Sequence, residues 1–181
     1  MSSASIGTQH HWVMQFESAA RTAFATVERI PPSSEALVSA ISRLGPGRFA
    51  VAQPLDLPTE LFSGLHRLPG IVTGRAKSDL ATCDVGVTDA FAGVARTGSV
   101  CVTVDHEFAG EVSLLSRLHV AVVSAETIVE RPADLFRPDR LGGKGLTRNF
   151  VFITGPSATA DMGPLVRGVH GPHKLHVIVV G

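Results

Sequence analysis

The chain has 181 residues, and its sixteen Lys and Arg residues balance sixteen Asp and Glu residues, so the formal net charge is zero. This balance gives no attraction for phosphate backbones or anionic lipids, and we expect neither nucleic acid nor a membrane as partner. Hydrophobic residues make up 44% of the chain and charged residues 18%, which excludes disorder over most of the length. Without a secretory signal pattern at its start, the protein is expected to be cytoplasmic.

The first 45 residues are predicted to form an N-terminal helical segment of a single domain that spans residues 1–181. Over Trp12–Val27 the apolar residues recur at steps of three and four, which is typical of an amphipathic helix. A Pro-Pro pair ends that helix. The Ser-Ser pair that begins at Ser33 can cap a second helix, which stops at Gly45.

Beyond Arg48, short apolar runs alternate with helix-like segments bounded by Gly and Pro, a pattern typical of βα units. The strand candidates are Phe49–Ala52, Gly70–Thr73, Val85–Thr88, Ser99–Val104, His119–Val123, Asn149–Thr154 and Leu175–Val180. The helix candidates are Thr59–Arg67, Phe108–Leu118 and Thr127–Asp139. Several strands are apolar at consecutive positions, as in sheets covered on both faces. The fold class predicted is therefore α/β, a three-layer α/β/α sandwich with a mainly parallel sheet.

The two cysteines, Cys83 and Cys101, lie far apart and form no CxxC pair. Both occur in apolar, strand-like stretches, where a reduced buried thiol is the usual state. No Cys/His cluster has the spacing of a metal site, so we expect no metal and no bound cofactor, and an iron–sulfur cluster could not be held by this chain alone.

The first candidate site follows a predicted buried strand. Gly155 and Pro156 form a tight exit, and Ser157, Thr159 and Asp161 lie at the start of a predicted helix. Outward amides and hydroxyls at a helix N-terminus can hold a carboxylate or a phosphate. In the alternative interpretation, Ser157 or Thr159 only caps the helix and Asp161 only favours its dipole.

A histidine between glycines forms the second candidate. His170 lies in Gly-Val-His-Gly-Pro ahead of the last strand, where glycines permit close backbone approach and an imidazole could contact a ligand. Alternatively, His170 bonds a loop carbonyl and holds the turn. The other histidines, His119 among them, have no partner at an informative spacing.

The third candidate combines a strand end with a following turn. Thr88 is predicted at the carboxyl end of a strand, the side on which open α/β sheets bind ligands. Arg96, Thr97, Gly98 and Ser99 follow, and Arg96 could pair with an anion. Arg96 could equally be a solvated surface charge.

Together these segments resemble the family of lactate-utilisation protein C, the LUD domain. The resemblance spans about residues 70 to 181 and is carried by Val85–Thr88, Ala95–Ser99, Gly155–Ser157, Thr159–Asp161 and Gly168–Pro172. It implies the fold shared by ribose-phosphate isomerases and CoA transferases. Two positions depart from the family pattern: Arg96 replaces a glutamate, and Gly163 stands where relatives have another glutamate.

The resemblance also implies a function. In that family the protein accompanies an iron–sulfur subunit and a cysteine-rich subunit in oxidising L-lactate to pyruvate. We therefore expect an accessory subunit that binds a small anionic ligand while its partners carry the redox cofactors. One alternative is a stand-alone enzyme of the isomerase/CoA-transferase-like fold acting on a phosphorylated or CoA-linked metabolite. Another is a structural protein whose glycine motifs only shape turns.

Overall fold

The structure is a computed structural model that describes residues 3–74, 76–137, 148–161 and 163–181. Its α-helices are α1 (Ser3–Thr22), α2 (Ser34–Ser42), α3 (Thr59–Phe62), α4 (Lys77–Leu80) and α5 (Ala109–Leu115). Its strands are β1 (Thr26–Ile30), β2 (Phe49–Val51), β3 (Val85–Ala90), β4 (Ala92–Val94), β5 (Ser99–Thr103), β6 (Leu118–Ser124), β7 (Ile128–Val129), β8 (Phe150–Ile153), β9 (Ala158–Thr159), β10 (Val166–Arg167) and β11 (Lys174–Val180). Three short 3-10 helices cover Leu65–Arg67, Ala125–Thr127 and Pro132–Phe136.

The central sheet has five strands in the order β1-β11-β6-β3-β2, and every neighbouring pair is parallel. Its inner strands are buried on both faces, which explains why apolar residues occupy consecutive positions in them. The predicted parallel sheet is therefore confirmed. Of the strands predicted, Gly70–Thr73 is reduced to a single bridge between Phe49 and Ile71.

Helices cover both faces of this sheet. On one face α2 and α3 bring Leu37, Ile41 and Phe62 into one core cluster with Val87 and Ile178. On the other face α1 and a second sheet build a separate cluster, whose members include Val13, Phe16, Val100, Val123 and Val177. Burial of each such side chain contributes about 2 kcal/mol to folding. The expected three-layer α/β architecture is confirmed.

The second sheet has the order β7-β4-β5-β8, in which β5 pairs antiparallel with both β4 and β8. The strands predicted at Ser99–Val104 and Asn149–Thr154 are present as β5 and β8, but they lie in this second sheet and pair antiparallel, so their expected place in a mainly parallel sheet is wrong. The segment that follows β8 therefore lies away from the carboxyl edge of the parallel sheet, beside the amino-terminal ends of β6 and β11.

Two of the helices predicted within the first 139 residues contain residues that the structure places in strands. The first ends at Thr22, because Phe24 adopts a left-handed backbone conformation with φ 67°, and Val27 belongs to β1. The second, Thr127–Asp139, is replaced by β7 and a 3-10 helix, because the β-branched pair of β7 joins β4 in a sheet. Asp139 itself lies outside the described residues. The helix α2 agrees with its prediction, and Ser33 caps it by accepting the N–H of Ala36 at 3.1 Å.

Within the described ranges, no helix combines the length and apolar character that crossing a membrane requires.

Candidate functional site

A cavity of about 270 Å³ lies between α5, the amino-terminal ends of β6 and β11, and the chain that leaves β8. It is partly open to solvent. Its lining is Ser113, Leu114, His119, Val151, Phe152, Ile153, Thr154, Gly155, Pro156, Ser157, Pro172 and Leu175. No Lys, Arg, Asp or Glu occurs among these described lining residues, so the cavity presents apolar surface, hydroxyls and one imidazole.

The imidazole belongs to His119, whose side chain is 1% exposed. Its Nε2 lies 2.9 Å from the hydroxyl oxygen of Thr88 on the neighbouring strand. Its Nδ1 is buried and has no hydrogen-bond partner among the described residues. Burial lowers the pKa of His119 to about 4, so the ring is neutral at neutral pH. A buried polar atom without a partner is costly, and the residue that carries it also lines the cavity.

Gly155 turns the chain from β8 into the cavity wall. Its φ is +70°, and a Cβ at this position would lie 2.0 Å from the carbonyl oxygen of Ala23, so only glycine fits. The N–H of Ser157 donates to the carbonyl of Pro172 at 3.0 Å. That amide is therefore satisfied inside the protein and is not directed at an anion.

The helix predicted to begin near Ser157 is wrong. Residues Ala158–Thr159 form β9, which pairs antiparallel with β10 at Val166–Arg167. Thr159 accepts the N–H of Asp161 through its hydroxyl at 3.4 Å, which is a local turn contact. No helix N-terminus cradles an anion at this point of the described chain, because the strand pair takes up the backbone groups that a helix would have offered.

A row of hydroxyls connects two of the predicted segments. Ser99 lies between Thr97 and Thr154, with oxygen–oxygen distances of 2.7 Å and 2.6 Å. Thr154 lines the cavity, so the Thr97–Ser99 turn reaches it through one hydroxyl contact. Gly98 is buried at φ +67° against the carboxyl-terminal turn of α1, where a Cβ would meet the backbone N of Ala20 at 2.2 Å. Gly98 therefore has a packing role.

Four other residues predicted for the site do not line the cavity. Thr88 is buried inside β3 and not at its carboxyl end, and it reaches the cavity only through His119. Arg96, Asp161 and His170 are exposed, and none of them lines the cavity. Pro172, two residues after His170, does line it. The turn containing His170 thus contributes its backbone and its proline to the cavity wall.

A larger cavity, of about 800 Å³, lies at the carboxyl edge of the parallel sheet, where α/β folds commonly bind ligands. Its lining includes four carboxylates, from Glu35, Asp56, Glu60 and Glu126. Asp56 is paired with Arg148 at 2.6 Å. The remaining negative charge makes this cavity unfavourable for the anion expected from the sequence.

Asp89, near the end of β3, fixes the loop beside this larger cavity. Its Oδ2 accepts the backbone N–H groups of Leu55, Asp56 and Leu57 at 2.9, 2.6 and 3.2 Å. Burial raises the pKa of Asp89, and the three donors oppose that rise. The three loop N–H groups occupy Oδ2, which gives Asp89 a structural role.

His119 is the functional candidate that sequence reasoning missed. Its strand is apolar apart from this residue and the terminal Ser124, and a polar side chain inside a buried strand was the available signal. Its partner Thr88 is 31 residues away and lies on another strand, so only the register of β3 against β6 brings the two together.

The LUD domain family model matches residues 65–180, which is more than half of the chain. The chain belongs to the LUD domain family. The matched segment contains every residue that lines the smaller cavity, His119 included. The resemblance inferred from the Gly-Pro-Ser and Gly-Val-His-Gly-Pro motifs is confirmed.

Two curated relatives are named lactate utilization protein C. The one from Shouchella clausii is 39% identical over 100 residues, which are 54% of this chain and 44% of that protein. The one from Oceanobacillus iheyensis is 33% identical over 101 residues, which are 54% of this chain and 43% of that protein. The aligned part thus spans less than half the length of these relatives.

Among solved structures, a DUF162 family protein from Deinococcus radiodurans superposes with a TM-score of 0.70 at 21% identity. The match covers 96% of this chain and 98% of that chain. It supports the same three-layer fold over nearly the whole chain. The expected likeness to ribose-phosphate isomerases and CoA transferases stays a prediction.

Proposed function

We propose that the chain is the ligand-binding component of a cytoplasmic system that oxidises L-lactate to pyruvate. Iron–sulfur and cysteine-rich partner subunits would carry the redox cofactors. The names of the relatives support a role in lactate utilisation, and the LUD domain match at residues 65–180 contains the cavity around His119.

The cavity lined by His119, Thr154 and Ser157 carries this proposal. Its volume of about 270 Å³ accommodates a three-carbon acid, and its apolar lining suits a methyl group. The hydroxyls of Thr154 and Ser157 supply polar contacts for the carboxylate. Because Thr154 is exposed and Ser157 is half-buried, a charged carboxylate next to these hydroxyls would also keep contact with solvent.

The state of the cysteines supports a division of labour with redox partners. Cys83 and Cys101 are both buried and belong to different core clusters. Burial raises the pKa of Cys101 to about 12, which disfavours the thiolate form that metal ligation needs. Neither thiol is therefore suited to bind a cluster, and the residues of this chain are better suited to hold a ligand than to transfer electrons.

Isothermal titration calorimetry of the purified chain tests the proposal. L-lactate and pyruvate are the probes, and ribose 5-phosphate and coenzyme A are the comparison ligands. We expect one site for at least one of the two acids, with binding lost in His119→Leu and kept in His170→Ala, whose side chain lies outside the cavity. Failure of both acids to bind would contradict the proposal.

A stand-alone enzyme is the second candidate function. The carboxyl-edge cavity of about 800 Å³ favours it, because enzymes with α/β sheets bind their substrates at that edge. Its three carboxylates other than Asp56, however, repel the phosphorylated or CoA-linked metabolites that this alternative requires. Binding of ribose 5-phosphate or coenzyme A in the same calorimetric series, without binding of either acid, would favour the enzyme.

A further inference from the structure

We propose that Thr26 is an acylation site, where its hydroxyl takes up an acyl group from an activated ester with His176 as general base. Glu28 is the residue that positions the ring of His176. None of these three residues lines the smaller cavity, so the proposal does not depend on the proposed function and goes beyond it.

The register of two strands at the edge of the parallel sheet brings the three side chains together. Thr26 of β1 lies directly beside His176 of β11. Glu28 follows two positions after Thr26, so its side chain points to the same face of the sheet and reaches the same ring. Leu175, which lines the smaller cavity, precedes His176 and faces the opposite side of the sheet. The Thr26 cluster is therefore separate from that cavity.

The distances in this cluster match those of a nucleophile, a base and an orienting group. The hydroxyl oxygen of Thr26 lies 2.7 Å from Nδ1 of His176. Nε2 of the same ring lies 3.1 Å from Oε1 of Glu28. Nη2 of Arg43 donates to the other carboxylate oxygen of Glu28 at 2.7 Å. The carboxylate is therefore held at both of its oxygens.

The carboxylate sets the direction of both hydrogen bonds to the ring. Because a carboxylate only accepts, the neutral imidazole carries its proton on Nε2 and donates it to Glu28. Nδ1 then has a lone pair, and the hydroxyl of Thr26 donates to it. The hydroxyl proton is thus directed at the atom that would remove it, as general-base catalysis requires.

A second threonine–histidine pair in the chain shows what distinguishes this one. The hydroxyl of Thr88 also lies within hydrogen-bond distance of an imidazole nitrogen, at 2.9 Å from Nε2 of His119. Thr88 is fully buried, and the other nitrogen of His119 has no partner among the described residues. Thr26, in contrast, is exposed. Of these two pairs, only the one at Thr26 combines an accessible hydroxyl with a base that a carboxylate orients.

The reaction transfers an acyl group from one oxygen to another. Oγ1 of Thr26 attacks the carbonyl carbon of the ester while Nδ1 of His176 takes the hydroxyl proton. The bond between that carbon and the leaving oxygen then breaks, and the leaving alcohol or phenol receives the proton from Nδ1. The products are O-acyl-Thr26 and the free alcohol. Because β1 is the outermost strand, the ester approaches from solvent, and small esters with a weakly basic leaving group are the substrate class.

Mass spectrometry of the whole chain after treatment with p-nitrophenyl acetate tests the proposal. We expect one hydroxylamine-sensitive acetyl group per chain, located on Thr26 by peptide mapping. Hydroxylamine cleaves esters and leaves the amides of acetylated lysines intact, so it separates the two kinds of product. Acetylation of lysines alone, or of His176 without Thr26, would overturn the proposal.

Four variants separate the roles of the three residues. Thr26→Ala should abolish the hydroxylamine-sensitive adduct, whereas Thr26→Ser, which keeps a hydroxyl, should retain it. His176→Gln should slow acetylation of Thr26 about 100-fold, because a positioned general base contributes about that factor. Glu28→Gln should slow acetylation several-fold and leave its final extent unchanged, because Glu28 orients the ring without contacting the ester.

Thr22→Ala is the matched control. Thr22 is an exposed threonine four residues earlier, and its hydroxyl donates to the carbonyl of Ser18 at 3.0 Å instead of to an imidazole. Its replacement should leave acetylation of Thr26 unchanged. Equal rates of acetylation at Thr22 and Thr26 in the unmodified chain would overturn the proposal, because exposure alone would then decide reactivity. An unchanged rate in a His176→Gln variant with a native circular dichroism spectrum would overturn it as well.

Discussion

Acid should destabilise the protein through His119, and replacement of this residue by Asn should remove that sensitivity. In the folded chain, burial lowers the pKa of His119 to about 4, whereas the ordinary pKa of an accessible histidine is 6.5. Below pH 6.5 the unfolded chain therefore takes up a proton that the folded chain does not. Above this pH the ring does not change the free energy of unfolding. As the pH falls towards 4, the difference in protonation lowers that free energy progressively.

The size of the effect follows from the two pKa values. Between about pH 7.5 and about pH 5, the differential protonation of this one ring lowers the free energy of unfolding by about 2 kcal/mol. Below about pH 4 both states are protonated, and the loss levels off at about 3 kcal/mol. Because the ring is 1% exposed, solvent screening reduces these values little.

Urea unfolding followed by circular dichroism at the two pH values measures the difference. From the higher to the lower pH, the free energy of unfolding of the unmodified chain should fall by about 2 kcal/mol more than that of His119→Asn. The comparison uses the change with pH, so a general loss of stability in the variant cancels. His170→Asn, which alters an exposed histidine, should behave as the unmodified chain. Equal losses in the unmodified chain and in His119→Asn would refute the argument that His119 is buried and neutral.

Three further predictions concern the stability and packing of the fold. Gly155→Ala should lower the free energy of unfolding by about 2 kcal/mol in urea denaturation, because its Cβ would collide with a backbone carbonyl; unchanged stability would contradict this. Cys83 and Cys101 should resist a thiol reagent in the native state and react in urea, and rapid native labelling would show that they are accessible. Asp89→Ala should lower the free energy of unfolding by about 3 kcal/mol in the same denaturation assay, because three backbone donors lose their acceptor. A much smaller decrease would contradict the structural role of Asp89.

The sequence predicted the central strands well because their apolar runs are long. Residues 85–90, 118–124 and 174–180 lie in strands buried on both faces, and such strands show no competing helical period. The strand β1 was missed because Val27 continues the helical spacing of the residues before it. Thr26, at its start, pairs with His176, which is 150 residues later, and local periodicity carries no information about that partner.

The candidate site was predicted only in part. The Gly155–Ser157 exit was recognised from its residue types, and it does line a cavity. The helix expected after it was wrong because pairing between β9 and β10 outweighs a weak local helical preference. His119 could not be assigned from sequence, because its significance comes from Thr88 on one side and the cavity on the other, and both are tertiary features.

A crystal structure of the chain grown with pyruvate would show directly whether the cavity beside His119 holds a small acid. We expect electron density for pyruvate between α5 and the Gly155–Ser157 exit, with its carboxylate towards Thr154 and Ser157. An unoccupied cavity in crystals that hold pyruvate at the carboxyl edge of the sheet, among Glu35, Asp56 and Glu60, would contradict it.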